Sequence, residues 1–165
     1  MSNIFILNTG GTLNKRYNPI KGSLFVPSDN VAIEAIMANF ASQECEIKGL
    51  IYKDSLEIDD SDRRQMLECI ASREEKRIVI VHGTDTMSES AEYIAKEIAD
   101  KTIIFTGAMK PYEIDHGEAS CNLAMALGFL QQPKLPSGIY MCMSGIIAPH
   151  ANIKKDKQRG VFTRL

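Results

Sequence analysis

The sequence predicts a single α/β domain with three layers, in which a mostly parallel sheet is covered by helices on both faces. Short apolar runs alternate along the chain with longer segments of helical periodicity. Several of these runs are apolar throughout, which is typical of strands that are buried on both faces of a sheet. The length of 165 residues fits one domain of ordinary size.

Five apolar runs rich in Ile, Val and Phe have the length of β-strands. Helical segments separate them, so strands and helices alternate along the chain. The one long polar connection, at Asn14–Phe25, predicts either a small hairpin or a flexible loop. The runs lie at Ile4–Leu7, Ile47–Tyr52, Ile78–Val81, Ile103–Phe105 and Ile139–Met143, and the run at Ile47–Tyr52 is the weakest.

Four segments between the strands repeat apolar residues at intervals of three and four. The first follows possible N-cap residues in Pro27–Asn30, the second begins near Asp60, and the third has Ser88 as its predicted N-cap. Prolines at 133 and 136 end the fourth. The predicted inward positions are Ile33, Ile36, Met37 and Phe40 in the first helix, Met66, Leu67, Ile70 and Ala71 in the second, Ala91, Ile94, Ala95, Ile98 and Ala99 in the third, and Ala119, Leu123, Ala126, Leu127 and Leu130 in the fourth.

The charge balance argues against several classes of partner. With 19 Lys and Arg against 21 Asp and Glu, the formal net charge is −2 and the sequence pI is about 5.9. Such a balance provides no field that would hold a polyanion, so neither nucleic acid nor an anionic membrane is an expected partner. No apolar run reaches the ~18 residues of a membrane span and no basic leader segment begins the chain, so we expect a cytoplasmic protein.

The cysteines and histidines are scattered and predict neither a metal site nor a cofactor. Cys45, Cys69, Cys121 and Cys142 form no CxxC pair, and each lies in an apolar neighbourhood. We expect four free, buried thiols without a catalytic role.

Three segments rich in Gly and Thr follow predicted strands, at Thr9–Thr12, His82–Thr86 and Thr106–Pro111. In an open parallel sheet, ligands bind beyond the carboxyl ends of the strands, at the point where the strand order reverses. In a flavodoxin-like order 2-1-3-4-5, the first and third strands are neighbours at that point. Thr12 and Thr84 are then predicted to face each other across one crevice.

Glycines precede both threonines, and they predict a site for an anion or an oxyanion. Gly11 and Gly83 allow tight turns whose N–H groups can bind a phosphate or the oxyanion of an acyl-transfer intermediate. Neither GxxxxGKS/T nor GxGxxG occurs, which removes the specific support for a nucleotide-binding or phosphate-binding domain. A threonine hydroxyl that loses its proton to a desolvated lysine fits hydrolysis better. Taken singly, each segment is more typical of an ordinary turn or helix cap.

Three short motifs occur together along the chain: TGGTL at 9–13, HGTDTM at 82–87 and TGAMKP at 106–111. They are similar to the TGGTI, HGTDTM and TGAMRP signatures of the bacterial-type L-asparaginases, in the same order and at the same spacing. The resemblance runs over essentially the whole chain. It implies a flavodoxin-like N-terminal domain that hydrolyses the side-chain amide of asparagine, and sometimes of glutamine, through a threonine acyl-enzyme.

The resemblance implies a role for each matching residue. Thr12 would be the nucleophile, and Thr84, Asp85 and Lys155 would form a second triad in which Lys155 is the base. Lys155 is placed by matching residues 152–156 to the family's DVTKT string, and Lys154 is the rival assignment. Strand alternation sends the two lysines to opposite sides, so only one of them can face the crevice.

The resemblance also implies the substrate contacts. Ser55 matches the serine that binds the substrate's α-carboxylate, and Asp85 would also face the α-amino group. The glycines Gly11 and Gly83 belong to the same predicted binding set. Tyr17 matches the tyrosine of the family's mobile loop, which implies a catalytic role for it.

Two departures from the family pattern keep a second hypothesis open. The family's Gln after the binding serine is Leu56 here, and the chain stops at Leu165, where the family's chain continues for about another domain. We therefore expect an asparaginase N-terminal-type domain over 1–165 without the C-terminal domain, assembled as a homo-oligomer. The alternative to an amidohydrolase acting on a small amino-acid amide is a non-catalytic module that binds an amino acid or carboxylate. Retention of both the nucleophile and the base favours the enzyme.

Overall fold

A computed structural model describes residues 4–165, which contain ten strands and four α-helices. No helix in this part of the chain is long and apolar enough to cross a membrane. The strands are β1 (Ile4–Gly10), β2 (Arg16–Asn18), β3 (Ser23–Phe25), β4 (Cys45–Lys53), β5 (Arg77–Val81), β6 (Thr102–Thr106), β7 (Gly138–Met143), β8 (Ile146–Pro149), β9 (Ile153–Asp156) and β10 (Val161–Arg164). The helices are α1 (Val31–Met37), α2 (Asp60–Ala71), α3 (Met87–Ala95) and α4 (His116–Leu130).

The central sheet has six strands in the order β4-β1-β5-β6-β7-β8. The first five are parallel, and β8 pairs antiparallel with β7. For the five predicted strands this is the order 2-1-3-4-5, so the predicted fold class is confirmed. Because β1 lies between β4 and β5, the loops that follow these three strands emerge side by side at one edge of the sheet.

Both faces of the sheet are buried against helices. Along β1, Phe5 and Leu7 belong to the apolar core on one face, and Ile4 and Ile6 belong to the core on the other. Residues of α2 and α3 complete the first core, and residues of α1 and α4 complete the second. All seven residues of β1 are buried, which explains why its first four are apolar without interruption.

The helices match the predicted segments with two corrections. Phe40 lies beyond the end of α1, and α3 begins at Met87, so Ser88 lies inside the helix rather than at its N-cap. Thr86 occupies the N-cap position of α3, and its hydroxyl donates to the Ser55 carbonyl at 2.7 Å. A tertiary contact between two loops therefore accompanies the start of this helix, and local cap preferences do not reveal it.

Two β-hairpins lie outside the central sheet. Strands β2 and β3 pair antiparallel within Asn14–Phe25, so the hairpin is the one of the two predicted alternatives that forms. Strands β9 and β10 form a second hairpin that no sequence pattern predicted. Phe162 on β10 pairs with Lys155 and, like Ile153, is buried in the core, so this hairpin is anchored to the domain.

The predicted burial of several side chains needs correction. All four cysteines are free, as predicted, and Cys142 is buried, which raises the pKa of its thiol to about 12. Cys121, however, is exposed and Cys45 is only partly buried, so the predicted burial is wrong for these two. Cys121 lies on α4 about 200° around the helix axis from the buried Ala119, and this turns it toward solvent. Ala71 and Ala99, at or beyond helix ends, are also exposed rather than inward.

Candidate active site

Loops from three neighbouring strands meet at the carboxyl edge of the sheet. The Gly11 backbone is so close to the loop after β5 that a Cβ on Gly11 would lie 2.4 Å from the Gly83 nitrogen. A Cβ on Gly83 would in turn lie 2.6 Å from the Cβ of Ser55, in the loop after β4. Only glycine fits at both positions, and Gly11 also has a left-handed φ of 79°. This close approach brings the segments of Thr12, Ser55 and Thr84 to one crevice.

The N–H of Gly11 is not available to a ligand. It donates to the Lys53 carbonyl at 2.9 Å, and this bond ties the loop after β1 to the end of β4. The N–H of Gly11 is therefore not among the N–H groups of this turn that could bind an anion. What Gly11 contributes instead is the close contact with Gly83.

Lys155 reaches the crevice from β9. Its Nζ donates to Thr84 Oγ1 at 2.8 Å and to Asp85 Oδ1 at 2.8 Å. The Lys155 side chain is only 13% exposed, whereas the Asp85 side chain is 35% exposed and so remains open to a ligand. Thr84 is buried. The neighbouring Lys154 is exposed, so Lys155 and not Lys154 is the lysine that the structure brings to Thr84.

Ser55 is buried between two loops and held through both its side chain and its backbone. Its Oγ accepts the Asp85 N–H at 3.1 Å, and its carbonyl accepts the Thr86 hydroxyl at 2.7 Å. Asp54 caps the short turn that begins at Ser55, because its carboxylate accepts the Leu56 N–H at 3.1 Å. Since the Ser55 oxygen already accepts a hydrogen bond, its own proton can be donated to a ligand.

Thr12 begins a 3-10 turn directly beyond Gly11. Asn14 holds this turn, because its Nδ2 donates to the Gly10 carbonyl at 2.6 Å and its Oδ1 accepts from Asn8 Nδ2 at 3.1 Å. Thr12 is half-buried, and its hydroxyl has no hydrogen-bond partner among residues 4–165. The hydroxyl is thus placed by its backbone and is free to contact a ligand.

Tyr17 does not join the other predicted residues. It lies on β2 with 54% of its surface exposed, and its N–H donates to Glu113 Oε2 at 2.8 Å. In the described part of the chain, its hydroxyl makes no hydrogen bond to Thr12, Thr84 or Lys155. No contact in the structure supports the catalytic role predicted for Tyr17.

A buried network behind Thr84 escapes prediction from the sequence. His82 Nδ1 lies 2.7 Å from the Gly83 carbonyl, and His82 Nε2 lies 2.8 Å from Ser90 Oγ. Because the carbonyl can only accept, Nδ1 carries the proton and Nε2 accepts from Ser90, whose oxygen accepts from Arg63 Nε at 3.1 Å. Burial lowers the pKa of His82 to about 4, so the ring is neutral. The position of His82 directly after a buried strand was the one sequence signal of this burial.

Two ion pairs lie beside the crevice. Lys15 Nζ donates to Asp54 Oδ2 at 2.7 Å, and Lys53 Nζ donates to the two Asp62 oxygens at 2.9 and 2.8 Å. Within residues 4–165, no group of three His, Cys, Asp or Glu side chains is placed to hold a metal ion.

The fold and the motifs around this crevice correspond to a known family. The family model described as "Asparaginase, N-terminal" matches residues 3–162 of the chain. The chain belongs to the asparaginase family, and the match is to the family's N-terminal domain. This is the family that the three motifs resemble.

Two curated relatives illustrate the range of the family. Over 136 residues the chain is 30% identical to a glutaminase-asparaginase from Pseudomonas fluorescens biotype A, and the match covers 77% of this chain and 38% of that protein. Over 154 residues it is 27% identical to one component of the glutamyl-tRNA(Gln) amidotransferase from Methanococcus maripaludis, covering 88% of this chain and 35% of that protein. The chain thus spans little more than a third of the length of these relatives.

Solved structures with the same fold include two L-asparaginases. The thermostable L-asparaginase from Thermococcus kodakarensis matches with a TM-score of 0.85 and 23% identity, over 99% of this chain and 51% of that chain. A probable cytoplasmic L-asparaginase from Campylobacter jejuni matches with a TM-score of 0.85 and 22% identity, over 99% of this chain and 54% of that chain. These likenesses establish the fold, which corresponds to about half of each solved chain.

Proposed function

We propose that the chain hydrolyses the side-chain amide of L-asparagine, or of a similar small amino-acid amide, to the acid and ammonia. The observation that carries the proposal is the contact of Lys155 Nζ with Thr84 Oγ1 and Asp85 Oδ1. The close approach of Gly11 to Gly83 brings the segment of Thr12 to the same loop. A hydroxyl nucleophile needs a base, and Lys155 is our candidate for that base. The names of the glutaminase-asparaginase and amidotransferase relatives support an amide as substrate.

In the first half of the reaction, Thr12 Oγ attacks the amide carbon and forms an ester with the acyl group. The C–N bond breaks, and the nitrogen leaves as ammonia. The proton that Thr12 loses ends on the leaving nitrogen, and we assign Lys155, next to Thr84, as the base that takes it up and returns it.

In the second half, a water molecule replaces the nucleophile. The water oxygen attacks the ester carbon, the bond to Thr12 Oγ breaks, and the proton of the water restores the Thr12 hydroxyl. Thr84 and Lys155 assist this proton transfer, and Asp85 orients the lysine through its hydrogen bond of 2.8 Å. Over both halves, one amide and one water give one acid and one ammonia.

Ser55 and Asp85 are the proposed substrate contacts. The Ser55 hydroxyl can donate its proton to an α-carboxylate, because its oxygen already accepts the Asp85 N–H. The partly exposed carboxylate of Asp85 offers an acceptor to an α-ammonium group. Leu56 is exposed and offers no polar side chain beside Ser55, so an amino-acid amide would be held here by fewer polar contacts than the family pattern implies.

Ammonia release is the direct test. L-asparagine, L-glutamine and a panel of small amides are incubated with the intact chain and with Thr12→Ala. We expect release by the intact chain from at least one amino-acid amide, and a loss of several orders of magnitude in kcat for Thr12→Ala. Saturable binding of an amino acid with no ammonia release by the intact chain would contradict hydrolysis. It would support the non-catalytic binding module instead.

A further inference from the structure

We propose that Lys15 and Asp54 form a positioning pair that holds the turn carrying Thr12 against the turn carrying Ser55. The proposal rests on the proposed function, because it assigns the pair to the geometry of the same crevice. Neither residue is proposed to contact the substrate. Lys15 positions Thr12, and Asp54 positions Ser55. The four residues come from the loops that follow β1 and β4.

Asp54 uses its two carboxylate oxygens for different partners. Oδ1 accepts the Leu56 N–H at 3.1 Å and so caps the turn that begins at Ser55. Oδ2 accepts from Lys15 Nζ at 2.7 Å. One carboxylate thus shapes the turn that carries the proposed carboxylate-binding hydroxyl and joins it to the loop after β1.

Lys15 closes the turn that carries Thr12. Its N–H donates to the Thr12 carbonyl at 3.1 Å, while its side chain reaches Asp54. On the other side of Thr12, the Gly11 N–H donates to the Lys53 carbonyl at 2.9 Å. The proposed nucleophile is therefore flanked by two hydrogen bonds to the segment of Lys53 and Asp54, one from Gly11 and one from Lys15. Asn14 also holds this turn, through its bond to the Gly10 carbonyl, and the contact of Lys15 with Asp54 adds a direct connection to the turn of Ser55.

The surroundings of Asp54 favour its charged form. The Lys15 and Asp54 side chains are 21% and 31% exposed, so the pair is less screened by water than a fully exposed one. Burial raises the pKa of Asp54, but the hydrogen bonds from Lys15 and Leu56, with the charges of Lys15 and Lys155, hold that pKa below its usual range. Asp54 is thus ionised at neutral pH and attracts the lysine.

A double-mutant cycle tests the pair. Lys15→Met removes the tie, and Asp54→Asn removes the charge but keeps an amide oxygen that can cap Leu56. We expect each variant to lower kcat for ammonia release about threefold to tenfold, because the turn of Thr12 loses its contact with Asp54. KM should stay within about twofold of wild type, because the cap on the Leu56 N–H keeps the turn of Ser55 in place in both variants. The double variant should be no worse than the more affected single variant, because both changes break the same contact. Lys15→Arg should recover most of the wild-type kcat.

A matched control removes an ion pair far from the crevice. Lys76 pairs with Asp100, and both side chains are well exposed. We expect Lys76→Met to leave kcat and KM unchanged. Losses in kcat that add in the double variant of Lys15 and Asp54, or equal losses in Lys76→Met, would overturn the proposal.

Hydrogen exchange of the backbone amides over residues 11–16 provides a readout that does not depend on activity. We expect faster exchange of this segment in Lys15→Met and Asp54→Asn, and wild-type exchange in Lys15→Arg and Lys76→Met. Unchanged exchange in the first two variants would overturn the positioning role. If the wild-type chain releases no ammonia, the proposed function fails, and hydrogen exchange still decides whether the pair orders the turn.

Discussion

The side chains of the crevice differ in their access to water, and this difference suits their proposed roles. Thr84 is buried and Lys155 is mostly buried, whereas Asp85 remains about one-third exposed. A base that is screened from water keeps its proton transfers within the site, and an exposed carboxylate can still meet a charged ligand. The two hydrogen bonds of Lys155 thus connect a buried residue of the crevice, Thr84, to a partly exposed one, Asp85.

His82 makes the stability of the domain depend on pH. Burial lowers its pKa to about 4, from a reference value of 6.5. Between these values the unfolded chain binds a proton that the folded chain does not, so stability is complete above about pH 6.5 and falls as the pH decreases toward 4. We expect this group to contribute a loss of about 3 kcal/mol over that window. Urea unfolding of wild type and His82→Asn at pH 7 and pH 4.5 measures the difference.

The expected result is a larger loss of unfolding free energy in wild type than in His82→Asn. An NMR titration of the His82 ring in the wild-type chain checks the same point without a variant. A ring that titrates with a midpoint near 6.5 in the folded chain would contradict the buried, neutral assignment.

The residues of the crevice could be predicted from the sequence to different degrees. Thr12 and Thr84 follow from strand order alone, because both lie just beyond the ends of neighbouring parallel strands. The placement of Lys155 in the crevice could be predicted only from the family resemblance, because 70 residues separate it from Asp85 in sequence. The Lys15 contact with Asp54 has no local signal, because it depends on how two loops pack.

At the scale of elements, the packing of the loops after β1 and β5 depends on Gly11. An alanine there would adopt a left-handed φ of 79° and place its Cβ 2.4 Å from the Gly83 backbone. Gly145 has a similar φ of 77°, but nothing lies within 4 Å of its Cβ position. We expect Gly145→Ala to lose about 1 kcal/mol of unfolding free energy from φ alone. Gly11→Ala should lose more and should also lower ammonia release at least about tenfold, because Thr12 moves.

Urea unfolding and ammonia release of the two variants measure these effects side by side. Equal stability losses, with activity retained in Gly11→Ala, would show that the close approach of the two loops is not required.

The elements that the sequence predicted are those with strong patterns. The five buried strands have continuous apolar runs because helices cover both faces of the sheet. The hairpin of β9 and β10 has no such pattern, because Ile153 faces the core, Lys154 faces solvent and Lys155 faces the crevice within four residues. Strand β8 is equally short, and its turn at Ser144 and Gly145 combines two positive φ angles that only the structure reveals.

At the scale of the whole molecule, four separate segments of the chain contribute residues to the candidate site. The loops after β1, β4 and β5 and the hairpin of β9 and β10 together supply Thr12, Ser55, Thr84, Asp85 and Lys155. The chain matches about half of the length of each of the two solved L-asparaginases. Assembly into a homo-oligomer stays a prediction from the sequence.

The central claim is that Lys155, held against Thr84 and Asp85, is the base of an amide hydrolysis. Its most direct test is ammonia release from L-asparagine and L-glutamine by wild type, Lys155→Met and Lys154→Met. The neighbouring lysine is the matched control, because it has the same chemistry and is exposed to solvent. We expect Lys155→Met to lose about 100-fold or more in kcat, with Lys154→Met within about twofold of wild type. Wild-type activity in Lys155→Met, or an equal loss in both variants, would contradict the claim.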